Sequence, residues 1–398
     1  MHLLLFKELT DTSLVHTHVY FPADMKIDKK IAATCQFLET ALQLKSITIF
    51  CKKSYNVSDC SKLLKAVSGH SNLQQVNITG MFLSMSSLKS LTKTGMFARL
   101  TKLVVKIKVD SHQRCLVEIL ASFKNLYHLE LTGLKTCCSK SFSIMALTCS
   151  NLNTLITDCH ISAAEHISIL KYRHNTLRVA KIGLGRKQTR AVLEMIGKCH
   201  LLEELDDFEY PVFKGLKEMK SLRRISLRFL QAEDLTLLRK TFSKNFKPQI
   251  EHLEVNTADQ EDQIYQIIAS KCPQLLKLHL KTGNSRIEFR TIKEMVAHCK
   301  SLETLSIKMD FPGCDFNFSD LFDGGNKNCH QSLKHVQFNF PIRPLENARS
   351  VFEKVPTVYS IRFKNTLMVR KNETLQSIEH FCNVDAVIEE KVIILQVQ

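Results

Sequence analysis

Tryptophan is absent from this 398-residue chain, and glycine (12) and proline (8) are both scarce. So little of either excludes a collagen-like or proline-rich linker architecture. No apolar run approaches the roughly 18 residues that a membrane-spanning helix needs. The start, MHLLLFKELT, has too few consecutive apolar residues for a signal-peptide core. The Asn-x-Ser/Thr sites at Asn56, Asn77, Asn317 and Asn372 therefore read as chance matches, and a cytoplasmic or nuclear location is the expectation. Cys-x-x-Cys and His-Glu-x-x-His runs are missing, and the adjacent Cys137 and Cys138 suit neither a redox pair nor a zinc knuckle. The 14 cysteines are expected to be reduced and mostly buried. Hydrophobic residues make up 44% and charged residues 24%, which leaves a soluble, folded chain.

Acidic residues are scarce in one half only. Residues 1–200 hold 27 basic and 12 acidic side chains, a net of +15; residues 201–398 hold 28 and 27, a net of +1. A basic half admits a nucleic-acid reading, but no nucleic-acid-binding signature accompanies it, so a basic nucleic-acid-binding solenoid stays only as the least favoured alternative and nucleic acid is not the expected partner.

One pattern fills the chain: an apolar residue, two variable ones, an apolar residue, one variable, an apolar residue. Copies begin at Leu44 (LKSITI), Leu73, Leu100, Leu126 (LYHLEL), Leu152, Leu177, Leu202, Leu222, Ile250, Leu275 (LLKLHL), Leu302, Leu333 and Val358. Their spacing is 20 to 31 residues, with degenerate copies near Leu14 and Val384. A fixed period of this size is the mark of a solenoid. Inside each hexamer the period-2 alternation gives a strand with one buried face. Helical stripes lie between: Ile31, Cys35, Leu38 and Leu42; Cys115, Leu116, Ile119 and Phe123; Ala163, His166, Ile167 and Leu170; Val192, Leu193, Ile196 and Cys199; Ile292, Met295 and Val296. A strand and a helix cannot bury both faces alone, so the units must stack, with parallel strands joined by helical crossovers.

This pattern resembles the leucine-rich repeat. Several units also begin just after a helix-ending cysteine: Cys149, Cys199, Cys272, Cys299 and, one residue longer, Cys329. That Cys-x-x-Leu-x-x-Leu-x-Leu run is similar to the cysteine-containing repeats of F-box/leucine-rich-repeat proteins. The family usually has Asn or Cys eight residues after the first Leu; here Lys52, Met81, Lys108, Leu134, His160 and Gly185 stand there. The turns are expected to be satisfied otherwise.

The resemblance implies an α/β leucine-rich repeat solenoid (a horseshoe) with an inner parallel β-sheet and outer helices. Its expected parts are a degenerate N-terminal repeat or cap at 1–43, a solenoid at 44–371 and a degenerate C-terminal repeat or cap at 372–398. The sheet is expected to run unbroken from Leu44 to Phe363. The 20-residue interval before Leu222 predicts a loop or single turn over Tyr210–Glu218, and the 31-residue interval before Leu333 predicts a loop over Pro312–Asn328.

No side chains assemble a catalytic set, so an enzyme is not expected, and neither a cofactor nor a metal is called for. Gly183-Leu-Gly-Arg-Lys-Gln-Thr-Arg190 lacks the third glycine of a dinucleotide loop and reads as a turn before a basic helix. The acidic cluster Glu203, Glu204, Asp206, Asp207 and Glu209 reads as a charged strand and its turn. Positions 2, 3 and 5 of each hexamer, and the residue after it, face the open side of the sheet. The candidate partner-binding residues there are Arg223, Arg224, Arg228, Lys277, His279, Lys281, Lys308, Lys334, His335, Arg362 and Lys364. Lys277, Lys281, Lys308, Lys334 and Lys364 read as one basic stripe. The resemblance implies a non-enzymatic protein-recognition scaffold like the substrate-receptor part of a ubiquitin ligase. Its partner would be a protein with an acidic or phosphorylated segment. The ligase scaffold itself would be engaged only through an F-box upstream of Met1, because none is recognisable here. The alternative is a structural or regulatory leucine-rich protein outside ubiquitin ligation. No membrane partner is expected, and the chain is expected to be a monomer.

Overall fold

The computed structural model describes residues 15–21, 27–56, 61–92, 94–108, 114–133, 141–184, 190–208, 219–229, 249–257, 267, 271–282, 289–309, 332–338, 360–364, 384–389 and 392–397. The chain divides into two compact units, Met1–Leu202 (unit 1) and Glu203–Gln398 (unit 2), each taken here by itself.

Unit 1 contains β1 (His16–Phe21), β2 (Ser46–Asn56), β3 (Gln75–Ser84), β4 (Lys102–Lys108), β5 (His128–Thr132), β6 (Thr154–Ile161) and β7 (Val179–Leu184). Each pairs in parallel with the next in sequence. The connecting helices are α1 (Ile27–Thr40), α2 (Ser61–Ser68), α3 (Met85–Thr92), the single turn α4 (Met96–Arg99), α5 (Arg114–Ala121), α6 (Ser141–Thr148), α7 (Ala163–Arg173) and α8 (Arg190–Gly197). Unit 2 contains β8 (Glu204–Phe208), β9 (Arg224–Phe229), β10 (His252–Thr257), β11 (Lys277–Thr282), β12 (Thr304–Met309), β13 (His335–Phe338) and β14 (Ser360–Lys364), again parallel in sequence order. Helix α9 (Phe289–His298) crosses from β11 to β12. Each unit is thus an α/β leucine-rich repeat solenoid, as the period requires. The predicted loops at Tyr210–Glu218 and Pro312–Asn328 lie outside the described residues.

The hexamer explains the register. Leu103, Leu129, Leu155 and Ala180 occupy its fourth position and lie side by side on β4 to β7. All four are buried, as are the leading residues Leu73, Leu100, Leu126, Leu152 and Leu177. Burying each such leucine is worth roughly 1.5–3 kcal/mol, but only the neighbouring unit supplies the cover. A second contact repeats with them. The carbonyl of the hexamer's second residue accepts two N–H groups of the next unit: Gln74 and Gln75 on Lys45, Asn153 and Thr154 on Tyr127, Leu276 and Lys277 on Glu251.

The helix-ending position is built the same way. Its carbonyl takes the N–H of the leading leucine, from Cys149 to Leu152, Cys199 to Leu202, Cys272 to Leu275 and Cys299 to Leu302. The Cys149 thiol donates to the Phe123 carbonyl at 3.5 Å, and Cys299 to that of Cys272 at 3.9 Å, in each case the equivalent residue one unit back. His70 does the same toward Ala41. Burial pushes the Cys149 thiol upward and that of Cys199 up to about 12, so these are protonated packing groups.

Turn polarity is met by unrelated devices. The Gly133 N–H donates to the Asp158 carboxylate at 2.7 Å, and the Cys159 N–H to Thr157 Oγ1 at 3.1 Å. Gly133 sits at φ +88°, and a Cβ there would lie 2.1 Å from the Ile107 carbonyl oxygen, so only glycine fits.

Three expectations need correction. Leu42 does not belong to the first apolar stripe: α1 ends at Thr40, and Leu42 is 62% exposed in the turn. In α7 the buried residues are Glu165, His166, Ile169 and Leu170, while Ala163 and Ile167 are only partly covered. The degenerate copy at Val384 does not add a parallel strand. β15 (Val384–Glu389) pairs antiparallel with β16 (Val392–Val397), which pairs antiparallel with β14. Its two-residue connection leaves no chain for the crossover that a parallel partner needs.

The buried Glu165 has a partner in the preceding unit. Its carboxylate accepts the Phe142 N–H at 2.7 Å and the Ser143 N–H at 3.4 Å, capping the start of α6, while Ser162 caps α7 through the Glu165 N–H at 3.3 Å.

Two outcomes are expected in urea unfolding. Leu129→Ala removes a fully buried side chain and costs about 2–5 kcal/mol. Glu130→Ala, on the open face beside it, costs under about 0.5 kcal/mol; equal costs would mean the strand register is wrong. His166 gives a pH dependence. Burial pushes its imidazole down to about 3, and its Nε2 has no hydrogen-bond partner among the described residues. The unfolded chain therefore takes up this proton first. Stability from this group is complete above pH ~6.5 and falls by at most about 1.4 kcal/mol per unit as pH drops toward the folded value. Unfolding curves from pH 7.5 to 4.5 should show that loss, and His166→Leu should flatten it.

Candidate functional site

Positions 3, 5 and 7 counted from each leading leucine point away from the buried residues and form the open face of each unit's strands. In unit 2, register places Glu204, Arg224, His252, Lys277, Thr304, His335 and Ser360 in one row across β8 to β14. A second row holds Ser226, Glu254, His279, Ser306, Gln337 and Arg362. A third runs Arg228, Asn256, Lys281 and Lys308 on β9 to β12. Lys364 holds the equivalent position on β14. The side chains of Arg228, Arg362 and Lys364 lie outside the described residues; their places on the strands are described.

The candidates separate by charge. Arg223 pairs with Glu251 at 2.5 Å, Arg224 approaches Glu204 at 3.9 Å, and Lys334 pairs with Glu303 at 2.7 Å. The acidic strand β8 is thus answered by arginine on β9. The five lysines do not make one row. Lys277 stands four residues before Lys281, and Lys334 belongs to the position-2 edge, where Glu303 neutralises it. Lys281 and Lys308 are direct register partners on adjacent strands, about 4.8 Å apart along the sheet. Both are partly exposed, and no carboxylate pairs with either among the described residues. His279 stands two residues before Lys281 on the same face, His335 stands in the first row beside Thr304, and both are exposed. Partial burial lowers the His279 pKa, with Lys277 also lowering it and Glu254 acting against them. His252 is lowered by burial first, then by Arg224 and Lys277. With their pKa values lowered, His252 and His279 are neutral at pH 7 and leave the positive charge beside them to the lysines.

Sequence reading missed features of unit 1. Tyr20 and Phe50 are register partners on β1 and β2, and their rings stack with centroids 5.5 Å apart and planes 13° from parallel. Phe82 also reaches the open face, because Thr79 and Gly80 follow each other on that side and shift the alternation of β3. Gly80 has φ 78°, which only glycine adopts freely. Lys106 Nζ lies 4.7 Å from the Phe82 ring centroid, a cation–π contact. Counting position 7 would have found Phe50; the degenerate first hexamer hid Tyr20, and the bulge hid Phe82. His128, on the same face, is pushed down to about 4 by burial and by Lys102. The basic segment at Arg186 and Lys187 lies outside the described residues, and Arg190 opens α8.

Among the described residues no helix is long and apolar enough to cross a membrane, and no group of three or more metal-ligating side chains stands together.

No family model matches the chain, and no curated protein matches it. Solved structures do. A chain from the yeast Rad7–Elc1 complex is 12% identical, with 83% of this chain and 72% of that one covered and a TM-score of 0.43. TLR13 in its complex with ssRNA13 is 16% identical over 83% of this chain and 44% of that one, with a TM-score of 0.35. The internalin inlF of Listeria monocytogenes is 14% identical over 81% and 75%, also at 0.35. All three scores lie below one half, so the fold rests on register and period rather than on these likenesses.

The Glu303 carboxyl is held below its usual range by its hydrogen bond from Lys334, with Lys277 and His335 adding to it. In a carbon-detected NMR titration its midpoint should lie below that of an ordinary glutamate, and Lys334→Met should raise it. An unshifted midpoint would mean that the pair does not persist in solution.

Proposed function

We propose that the chain is a non-enzymatic protein-recognition scaffold whose unit 2 open face holds an acidic or phosphorylated protein segment. The observation that carries this reading is the Lys281–Lys308 pair. Like charges on adjacent strands repel, and Arg223, Arg224 and Lys334, unlike these two lysines, have carboxylates beside them. An anionic partner offsets that repulsion with charge-assisted hydrogen bonds. His279 precedes Lys281 on the same face, Lys277 and His335 lie farther back in the first row, and Lys364 continues the lysine row by position. Arg223, Arg224 and Lys334 are occupied by carboxylates and contribute less.

A finer version makes this scaffold the substrate-receptor arm of a ubiquitin ligase. The recurring helix-end cysteine supports it, through its similarity to the F-box subclass. The ligase scaffold would then bind elsewhere, through an F-box. The alternative, a regulatory leucine-rich protein outside ubiquitin ligation, shares the same open face and the same binding chemistry.

Isothermal titration with an acidic, phosphoserine-containing peptide tests the shared reading. Joint reversal, Lys281→Glu with Lys308→Glu, should weaken binding by about tenfold or more while the thermal transition stays in place. Rising salt should weaken the wild type more than the variant. Unchanged affinity in the variant would remove this face from the interface.

A further inference from the structure

Six large apolar side chains are substantially exposed among the described residues. Leu42, Leu147, Tyr172 and Leu201 lie on helices or in the turns after them; Tyr20, 53% exposed, and Phe50, 45% exposed, are the two on strands. Their mutual stack is a cross-strand pair that accounts for one face of each ring. Both rings nonetheless keep about half of their surface exposed. The register partner of Phe50 on β3 is Thr79, followed by Gly80, so no side chain larger than threonine occupies the row beside it. Around the rings stand hydroxyls and amides: Ser46, Thr48, Gln75 and Asn77. Asn77 Oδ1 is shut off from solvent yet has no hydrogen-bond partner among the described residues. The open-face positions of β1 to β4 carry Lys102, Lys106, His16 and His18 and no carboxylate. Unit 1 as a whole has 27 basic and 12 acidic residues, a net of +15, since Leu201 and Leu202 add no charge.

We infer that the open face of unit 1 binds single-stranded nucleic acid, with bases stacking on Tyr20 and Phe50 and phosphates meeting Lys102 and Lys106. An acidic peptide would answer the lysines but gives no reason for two parallel, exposed rings. A nucleotide supplies a flat face and a negative charge in one repeating unit. Neutral hydroxyls and amides beside the rings suit base edges, and stacking tolerates any base. Sequence alone disfavoured this partner because no known signature is present; the ring geometry is what changes the balance. The inference is independent of the unit 2 reading, because it concerns other strands and other residues.

Fluorescence anisotropy on the full chain tests it, using a labelled oligouridylate of about 12 nucleotides, the matching duplex and polyglutamate as competitor. The single strand should bind more tightly than the duplex, and affinity should fall steeply between about 50 and 200 mM salt. Tyr20→Leu with Phe50→Leu keeps apolar bulk and removes both rings. It should weaken binding by about tenfold without changing the salt slope. Lys102→Gln with Lys106→Gln should reduce the slope by about one to two. Should the ring variant lose its thermal transition, Thr79→Glu places a carboxylate beside Phe50 and should abolish binding. Equal affinity for duplex and single strand, displacement by polyglutamate at matched charge, wild-type affinity in the ring variant, or no binding would each overturn the inference. Of these, displacement by polyglutamate would point to an acidic protein segment instead.

Discussion

Every unit of this protein depends on its neighbour for cover. One strand and one helix expose more apolar surface than they hide, and Leu129 or Leu155 is buried only because the next strand lies in register beside it. The carbonyl that accepts two N–H groups from the next unit enforces the same spacing in backbone terms. So does the helix-end position, where Cys149, Cys299 and His70 reach the equivalent carbonyl one unit back. Leucine column, shared carbonyl and helix-end side chain all act laterally. Because they do, the side chains left on the open face are free of structural duty, and their chemistry can be read as recognition.

The lateral constraint also explains what was legible in the sequence. A hexamer such as LYHLEL names its buried and open positions by alternation alone, and the recurring spacing leaves parallel pairing as the workable arrangement. Leu42 was misread because a spacing of four continues a helical stripe on paper, whereas α1 stops at Thr40. Phe82 changed face because Gly80 allows a bulge, which no period count registers. The ion pairs were hidden for another reason. Arg223 and Glu251 are 28 residues apart and Glu303 and Lys334 are 31 apart, so they meet only after the register is fixed. Glu165 shows the same limit: its carboxylate caps α6 in the preceding unit, a pairing that exists only once the units stack.

Charge on the open face therefore has to be counted after pairing. By sequence, unit 2 offers a broad field of arginine and lysine. Once Glu204, Glu251 and Glu303 are placed, the unmatched cations among the described side chains contract to β11 and β12. Exposed ion pairs of this kind contribute little to stability, but they remove cations from the field that a partner meets. On the proposed reading this contraction adds selectivity: an anionic segment would be drawn to Lys281 and Lys308 rather than spread along the strands.

The two units present different chemistry on the same framework. In unit 2 the distinctive groups are compact ammonium charges, which attract any anion and discriminate through the geometry of its oxygens. In unit 1 they are parallel rings among neutral amides and hydroxyls, with lysine two strands beyond Phe50 on β4. Rings discriminate by flatness and stay effective at salt levels that screen charge. Identical backbone pairing underlies both, since the same third, fifth and seventh positions supply the lysines in one case and Tyr20 and Phe50 in the other. The repeat therefore sets where side chains stand, while the variable residues set what they attract. That division is why so regular a scaffold carries surfaces whose physical demands on a partner differ.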